Sequence, residues 1–167
     1  GIFIDWTAHW SGGYFGENAI EYLGRRRWET MYDFTEIIRE GGTVGFSSDL
    51  FSYGEAERGD PYFGMQTSMT RVDIELPLDE KKYPGSVRPP LEARLTLNQL
   101  LKGYTYNNAL RMRLSDKIGT IEEGKLANLI VLSKDIFDTD PFEIKTVSPE
   151  MIFFEGRKQE IKEVSFL

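Results

Sequence analysis

The chain has 167 residues, the size of one domain, and its 20 basic and 27 acidic side chains give a formal net charge of −7. Such an acidic chain is poorly suited to phosphate contacts, so we expect no nucleic-acid partner. It contains no cysteine, which excludes disulfides and thiolate ligands and fits a cytoplasmic protein. No apolar run reaches the length of a membrane span, so we expect no membrane association.

Histidine occurs once, at position 9. A metal centre built from several imidazoles therefore cannot be completed by this chain alone. The sequence also begins with Gly1 rather than methionine, and we expect further residues upstream of it.

The front of the chain has the pattern of a strand–helix–strand unit. Residues 1–6 form a short apolar run that predicts a buried strand, and residues 43–47 are β-rich and follow a glycine pair. Between them, Asp33 is placed to cap a helix, with Glu36 in capping-box spacing. If the two strands are parallel, residues 7–42 form the crossover between them.

The middle of the chain is predicted to be helical on either side of an irregular stretch. A helix is expected over residues 63–71, whereas residues 72–93 are rich in proline and charge and are expected to be irregular. Thr96 is a good N-cap for a helix that Gly103 would end, and another helix is predicted over residues 104–112.

The tail is predicted to be mostly β. Residues 118–124 predict a strand and a turn. Two strands are predicted over residues 129–132 and 151–154, and a closing turn over residues 155–158. We therefore expect two segments, an α/β segment over residues 1–114 and a β-rich segment over residues 115–167.

Five short motifs, taken in order, carry a family resemblance. Within residues 118–132, a β run follows a glycine, an acidic link, a glycine–lysine pair and a small residue. Residues 105–109 read Thr-Tyr-Asn-Asn-Ala. Upstream stand Gly-Phe-Ser-Ser-Asp at 45–49, Asp-Pro-Tyr-Phe-Gly at 60–64 and Gly-Tyr-Phe-Gly at 13–16. Together they resemble the C-terminal part of the metal-dependent amidohydrolases, in the branch called amidohydrolase family 3.

The resemblance implies a fold and an activity. The expected fold class is α/β: a partial (β/α)₈ barrel, consisting of its last two βα units, followed by part of a small β-sandwich. The parent protein would hydrolyse non-peptide carbon–nitrogen bonds in a small-molecule amide, using a divalent metal that we expect to be zinc. The histidine ligands of that family are absent here, so we expect this chain alone to be inactive and to bind no metal tightly.

Asp49 is the candidate catalytic residue and metal ligand. It ends an apolar β run, where an unpaired carboxylate is costly to bury, and the carboxyl ends of barrel strands are where such folds carry their chemistry. By resemblance it would bind the metal and act as general base, moving a proton from water to the leaving nitrogen. The local sequence alone favours a simpler alternative, in which Asp49 starts a turn or caps a helix.

Four further residues are candidate substrate contacts. His9 lies just past the first strand, although a lone histidine is more often held by a backbone carbonyl. Tyr14 and Phe15 stand on a glycine-rich loop and either wall a pocket or pack beneath the loop. Arg71 could pair with a substrate carboxylate, with a solvated or structural charge as the alternative.

A second hypothesis comes from a different class of protein. The chain could be a non-catalytic α/β module that binds a small ligand or associates with itself. Unpaired strand edges favour pairing with another chain, so we expect a homo-oligomer formed through exposed strand edges.

Overall fold

The computed structural model describes residues 2–50, 53–74, 81 and 87–161, and the side chains of residues 53–55 are not described. Most of the predicted irregular stretch over 72–93 lies outside the described residues. No helix in the described part of the chain is long and apolar enough to cross a membrane. The molecule is a mixed α/β structure with two small sheets.

The first sheet consists of two parallel strands, β1 (Phe3–Thr7) and β2 (Thr43–Ser47). They pair in register from Phe3 with Thr43 to Thr7 with Ser47, which confirms the predicted strands and their crossover. Opposite faces of this sheet differ because side chains alternate along a strand. Trp6 and Phe46, on one face, both pack against the ring of Phe34.

Three short helices fill the crossover between β1 and β2. Two 3₁₀ turns, Ala8–Ser11 and Glu17–Ala19, come before the helices. The helices are α1 (Ile20–Leu23), α2 (Arg25–Glu29) and α3 (Phe34–Arg39). Asp33 caps α3 by accepting a hydrogen bond from the backbone N–H of Thr35, as predicted.

Helix α4 (Pro61–Thr70) lies at the centre of the molecule. Asp60 caps it by accepting a bond from the Tyr62 N–H, and Pro61 occupies the first turn, where a missing N–H costs nothing. Eight of its ten residues are buried, and they include polar side chains such as Gln66 and Thr67. The helix is therefore enclosed by neighbours on most sides.

A continuous helical segment follows from α5 (Leu97–Lys102) through a π-helical turn (Gly103–Asn107) to α6 (Asn108–Arg111). Thr96 and Gln99 form the capping box at its start. The prediction that Gly103 ends a helix is wrong, because its φ of −64° and ψ of −47° are helical. The glycine instead permits close packing: a Cβ there would lie 2.3 Å from the Phe46 ring.

The α5–α6 segment is fastened to β2 by two asparagine side chains. Asn107 donates to the Val44 carbonyl at 2.7 Å, and Asn108 donates to the Phe46 carbonyl at 2.9 Å. The amide of Asn108 also lies over Gly45, where a Cβ would come within 2.1 Å of Asn108 Oδ1. Only glycine therefore leaves room for this contact.

The second sheet is antiparallel, with the order β3 (Leu129–Leu132), β4 (Pro149–Phe154) and β5 (Arg157–Gln159). A tight turn with positive φ at Glu155 and Gly156 joins the last two strands, as predicted. The strand predicted within residues 118–124 is wrong: this stretch forms turns, with positive φ at Gly119 and Gly124.

A hydrophobic core joins the front of the chain to its tail. Ile136, Ile144 and Val147 are buried in the same cluster as side chains from both parallel strands and from α3, α4 and α5. A 3₁₀ turn, Pro141–Thr146, packs on α4, and the Lys145 N–H donates to Gln66 Oε1 at 2.8 Å. The two predicted segments are thus in direct contact through one core.

Candidate functional site

The candidate site lies at the carboxyl edge of the parallel sheet. Thr7 and Ser47 are the last paired residues of β1 and β2, and His9 and Asp49 each follow two residues later. Because the strands are parallel and in register, both residues leave the sheet at the same edge. In parallel α/β folds, this is the edge at which ligands bind.

Asp49 is exposed, and its backbone adopts a left-handed conformation with a φ of 48°. Aspartate tolerates this conformation better than most residues, so it can turn the chain sharply out of β2. The structure therefore places an accessible carboxylate at the strand end where the sequence predicts one. Its catalytic and metal-binding roles stay predictions.

A metal site needs several donor side chains at one place. Among residues 2–50, 53–74, 81 and 87–161, no three His, Asp or Glu side chains come close enough together to hold a metal ion. His9 is only 6% exposed, and its ring contacts the rings of Phe15 and Phe63. The donor set that this part of the chain brings to the edge therefore does not fit a divalent metal by itself.

His9 belongs to an aromatic cluster at this edge. Its ring meets those of Trp10, Phe15 and Phe63 edge-on, with centroid distances of 6.5, 5.9 and 6.1 Å. Trp10 and Phe15 are stacked on each other at 5.3 Å, with only 13° between their planes. The structure thus brings two of the predicted substrate contacts, His9 and Phe15, together.

Tyr32 completes this cluster from the segment that follows α2. It lies 5.6 Å from Trp10 and 6.1 Å from Phe15 between ring centroids, and all three rings are half-buried. Burial raises the pKa of the Tyr32 hydroxyl, and the positive charge of Arg88 opposes that shift. Tyr14, the other predicted loop contact, is half-buried in the same loop as Phe15.

Arg71 lies beneath this edge and is fully buried. Its guanidinium donates to the backbone carbonyls of Arg88, Glu29 and Pro89 at 3.0–3.1 Å. A substrate carboxylate could not reach it without displacing these bonds. Its position favours the structural alternative over the substrate contact predicted for it.

Three residues at this edge were not singled out by sequence reasoning. Trp10 and Tyr32 are two rings of the aromatic cluster, and Arg88 is a second fully buried arginine. The stretch around Arg88 gave no regular pattern, and the burial of an arginine there depends on contacts far along the chain. The nearest available signal was the position of Trp10 beside His9.

The opposite edge of the sheet carries a groove. This groove of about 510 Å³ is lined by side chains and backbone at the amino ends of the strands and along α3: Ile2, Ile4, Glu36, Ile37, Glu40 and residues 41–43. Because parallel sheets bind ligands at their carboxyl edge, this groove is not part of the candidate site.

Comparison with known proteins identifies the family. A family model described as amidohydrolase family, of the amidohydrolase family 3 type, matches residues 4–158. No curated protein matches. Among solved structures, the chain is similar to an amidohydrolase from Thermotoga maritima MSB8, with 21% sequence identity and a TM-score of 0.51. That match covers 80% of this chain but only 27% of the other, and at this identity it concerns the fold alone.

These findings confirm the resemblance that the motifs indicated. The matched region runs from β1 to the end of β5 and includes both sheets and the carboxyl edge that carries Asp49. We conclude that the chain belongs to the amidohydrolase family.

Proposed function

We propose that this chain forms the last two βα units of a (β/α)₈ barrel and part of a small β-sandwich in a metal-dependent amidohydrolase. The parallel pairing of β1 with β2, with helices in the crossover, is the arrangement that such a barrel repeats. The family match over residues 4–158 supports the same interpretation. The chain spans 27% of the similar solved structure, so most of the barrel would come from other residues.

The proposed reaction is hydrolysis of a non-peptide carbon–nitrogen bond in a small-molecule amide. The observation that carries this proposal is the exposed carboxylate of Asp49 at the carboxyl edge of β2. From there it would accept a proton from the attacking water and pass it to the leaving nitrogen. A divalent metal, zinc in our proposal, would be held jointly by Asp49 and by ligands from a longer polypeptide.

We further propose that the chain alone is inactive. It contains one histidine, and that side chain is buried among aromatic rings. Two parallel strands also cannot close a barrel, so the catalytic edge would stay open to water.

The proposal is tested in a longer polypeptide that contains these residues. Asp49→Asn is expected to lower the rate of amide hydrolysis by about 10²- to 10⁴-fold, the range for losing a general base. Asp116→Asn, which alters an exposed carboxylate in the turn after α6, is the matched control and should leave the rate unchanged. Full activity of the Asp49→Asn protein on every amide in a panel would contradict the assignment.

A second candidate function, a self-associating module, is favoured by one observation. Ile2, just before β1, and Phe3, its first residue, are 81% and 45% exposed and leave apolar surface open at the end of this strand. We propose that copies of this chain associate through that edge. Light scattering during gel filtration at several concentrations tests this, with Phe3→Lys expected to give a monomer; a wild-type chain that stays monomeric throughout would exclude it.

A further inference from the structure

Arg88 is a buried cation that joins three separate segments at the carboxyl edge. Its Nη1 donates to the carbonyls of Trp10 and Phe15, both at 3.3 Å, and its Nη2 donates to the carbonyl of Trp28. The guanidinium carbon lies 4.2 Å from the centre of the Trp28 ring and 5.7 Å from that of Tyr32. One side chain thus contacts both the loop after β1 and the segment after α2.

Arg71 supports this arrangement from below. Its Nε donates to the carbonyl of Arg88 at 3.0 Å, and the N–H of Arg88 donates back to the Arg71 carbonyl at 3.1 Å. The same Arg71 carbonyl accepts a bond from the Gly13 N–H at 2.9 Å, in the loop that carries Phe15. The two arginines therefore fix the backbone of this loop from two directions.

These contacts hold a set of flat ring surfaces, which we call the aromatic wall: Trp10, Phe15 and Tyr32. The stacked pair and the tilted third ring stand at the edge where Asp49 leaves β2. Each of the three residues is half-buried, so each keeps part of its surface accessible. Aromatic surfaces favour offset stacking or edge-to-face contact with other rings, beyond what buried area alone provides.

We propose that Arg88 is a positioning residue that holds the aromatic wall in place to bind a planar, apolar group of the substrate. This inference rests on the proposed function, which makes the substrate an amide. It adds that the substrate carries an aromatic ring beside the amide, and that specificity for this ring is determined by Trp10, Phe15 and Tyr32.

Lysine cannot replace Arg88 in this role. The guanidinium is a planar fork whose separate nitrogens reach carbonyls of different segments while its face lies over an aromatic ring. A lysine ammonium keeps the charge and has three N–H donors, but all of them lie on one nitrogen, which cannot occupy the positions of both Nη1 and Nη2. The Arg88→Lys substitution therefore changes the geometry of the wall while it conserves the charge.

The test measures binding of two probe amides to the full chain by ligand-observed NMR. Benzamide and cyclohexanecarboxamide have the same number of heavy atoms, but only benzamide is planar. Benzamide is expected to bind about threefold to tenfold more tightly, the ratio that one aromatic contact contributes. Arg88→Lys should bring the two affinities together, whereas Arg94→Lys, at an exposed arginine, should preserve the preference.

The ratio of the two affinities separates positioning from general destabilisation, because a partly unfolded protein would lose both ligands equally. If Arg88→Lys does not fold, Tyr32→Leu tests whether the aromatic wall determines the preference for benzamide. This substitution removes one ring of the wall and leaves the Arg88 bonds to backbone carbonyls intact. Equal binding of both probes by the wild-type chain, binding of neither, or an unchanged preference in a folded Arg88→Lys protein would each overturn the inference.

Failure of the proposed function gives a different result. A longer polypeptide that hydrolyses no amide, combined with an Arg88-dependent preference for benzamide, would remove the hydrolase proposal and keep the aromatic wall as a binding site. Amide hydrolysis without any preference for aromatic amides would keep the hydrolase proposal and remove the aromatic wall as a binding site.

Discussion

The contact between Gly45 and Asn108 makes a quantitative prediction about the packing of β2. Alanine at position 45 would place a Cβ 2.1 Å from Asn108 Oδ1 and 3.2 Å from its Cγ, far inside normal contact. Gly45 does not have a positive φ, so the backbone itself accepts alanine and the cost is steric. Asn108 must move, which sacrifices its 2.9 Å bond to the Phe46 carbonyl.

The magnitude follows from these two changes. Overpacking a tight site costs about 1–3 kcal/mol and a lost buried hydrogen bond about 1 kcal/mol more, so Gly45→Ala should lower the free energy of unfolding by about 2–4 kcal/mol. Asn108→Ala alone leaves the Phe46 carbonyl without this donor and should cost about 1–3 kcal/mol. In the double variant, the space left by Asn108 accommodates the new methyl group. The double variant should therefore be no less stable than Asn108→Ala.

Urea unfolding followed by tryptophan fluorescence and far-UV circular dichroism measures this cycle. Gly59→Ala is the control, because among the described atoms its Cβ would meet just the end of the exposed Leu50 side chain, at 3.3 Å. Costs of Gly45→Ala and Asn108→Ala that add to within about 0.5 kcal/mol would show that the two residues are independent, and would refute the reasoning.

Three further predictions concern the core, a helix cap and a carboxyl group with a raised pKa. Ile144→Ala should lower the free energy of unfolding by about 2–5 kcal/mol, because the side chain is fully buried in the shared core; a loss under about 1 kcal/mol in urea unfolding would contradict this. Thr96→Ala should cost about 0.5–2 kcal/mol by removing the capping box, and Thr105→Ala, an exposed threonine within the same helical segment, serves for comparison. Burial raises the pKa of Asp60 above its ordinary 3.8, although the Tyr62 N–H opposes the shift. The native state therefore keeps this proton to higher pH than the unfolded state, so the contribution of Asp60 to stability is present at low pH and is lost as pH rises through the raised value. Asp60→Asn should flatten that part of the stability profile in unfolding measured at several pH values, and an unchanged profile would count against it.

Local patterns in the sequence were sufficient for the parallel unit. The apolar runs over residues 1–6 and 43–47 and the caps at Asp33 and Thr96 all depend on near neighbours, and the structure bears them out. Gly103 was misjudged because its role is set by the ring of Phe46, which lies far away in the chain. A glycine that permits close packing and one that ends a helix look the same in a single sequence.

The candidate site was predictable to a similar extent. Asp49 follows a strand directly, so its place at the carboxyl edge could be read from the order of residues. The burial of Arg71 and Arg88 could not, because each is enclosed by carbonyls from segments remote in sequence. Arginine is normally an exposed residue, and only tertiary contacts reveal one that organises a loop.

The shared core has a consequence for how the chain is made. The ribosome synthesises β1, β2 and α4 well before Ile144 and Val147, which complete the packing around these elements. At about 5–20 residues per second, the 77 residues from Thr70 to Val147 take about 4–15 s to synthesise. Throughout that interval the nascent protein exposes the apolar surface that Ile144 and Val147 later cover, so the core closes only when the last part of the chain has been made.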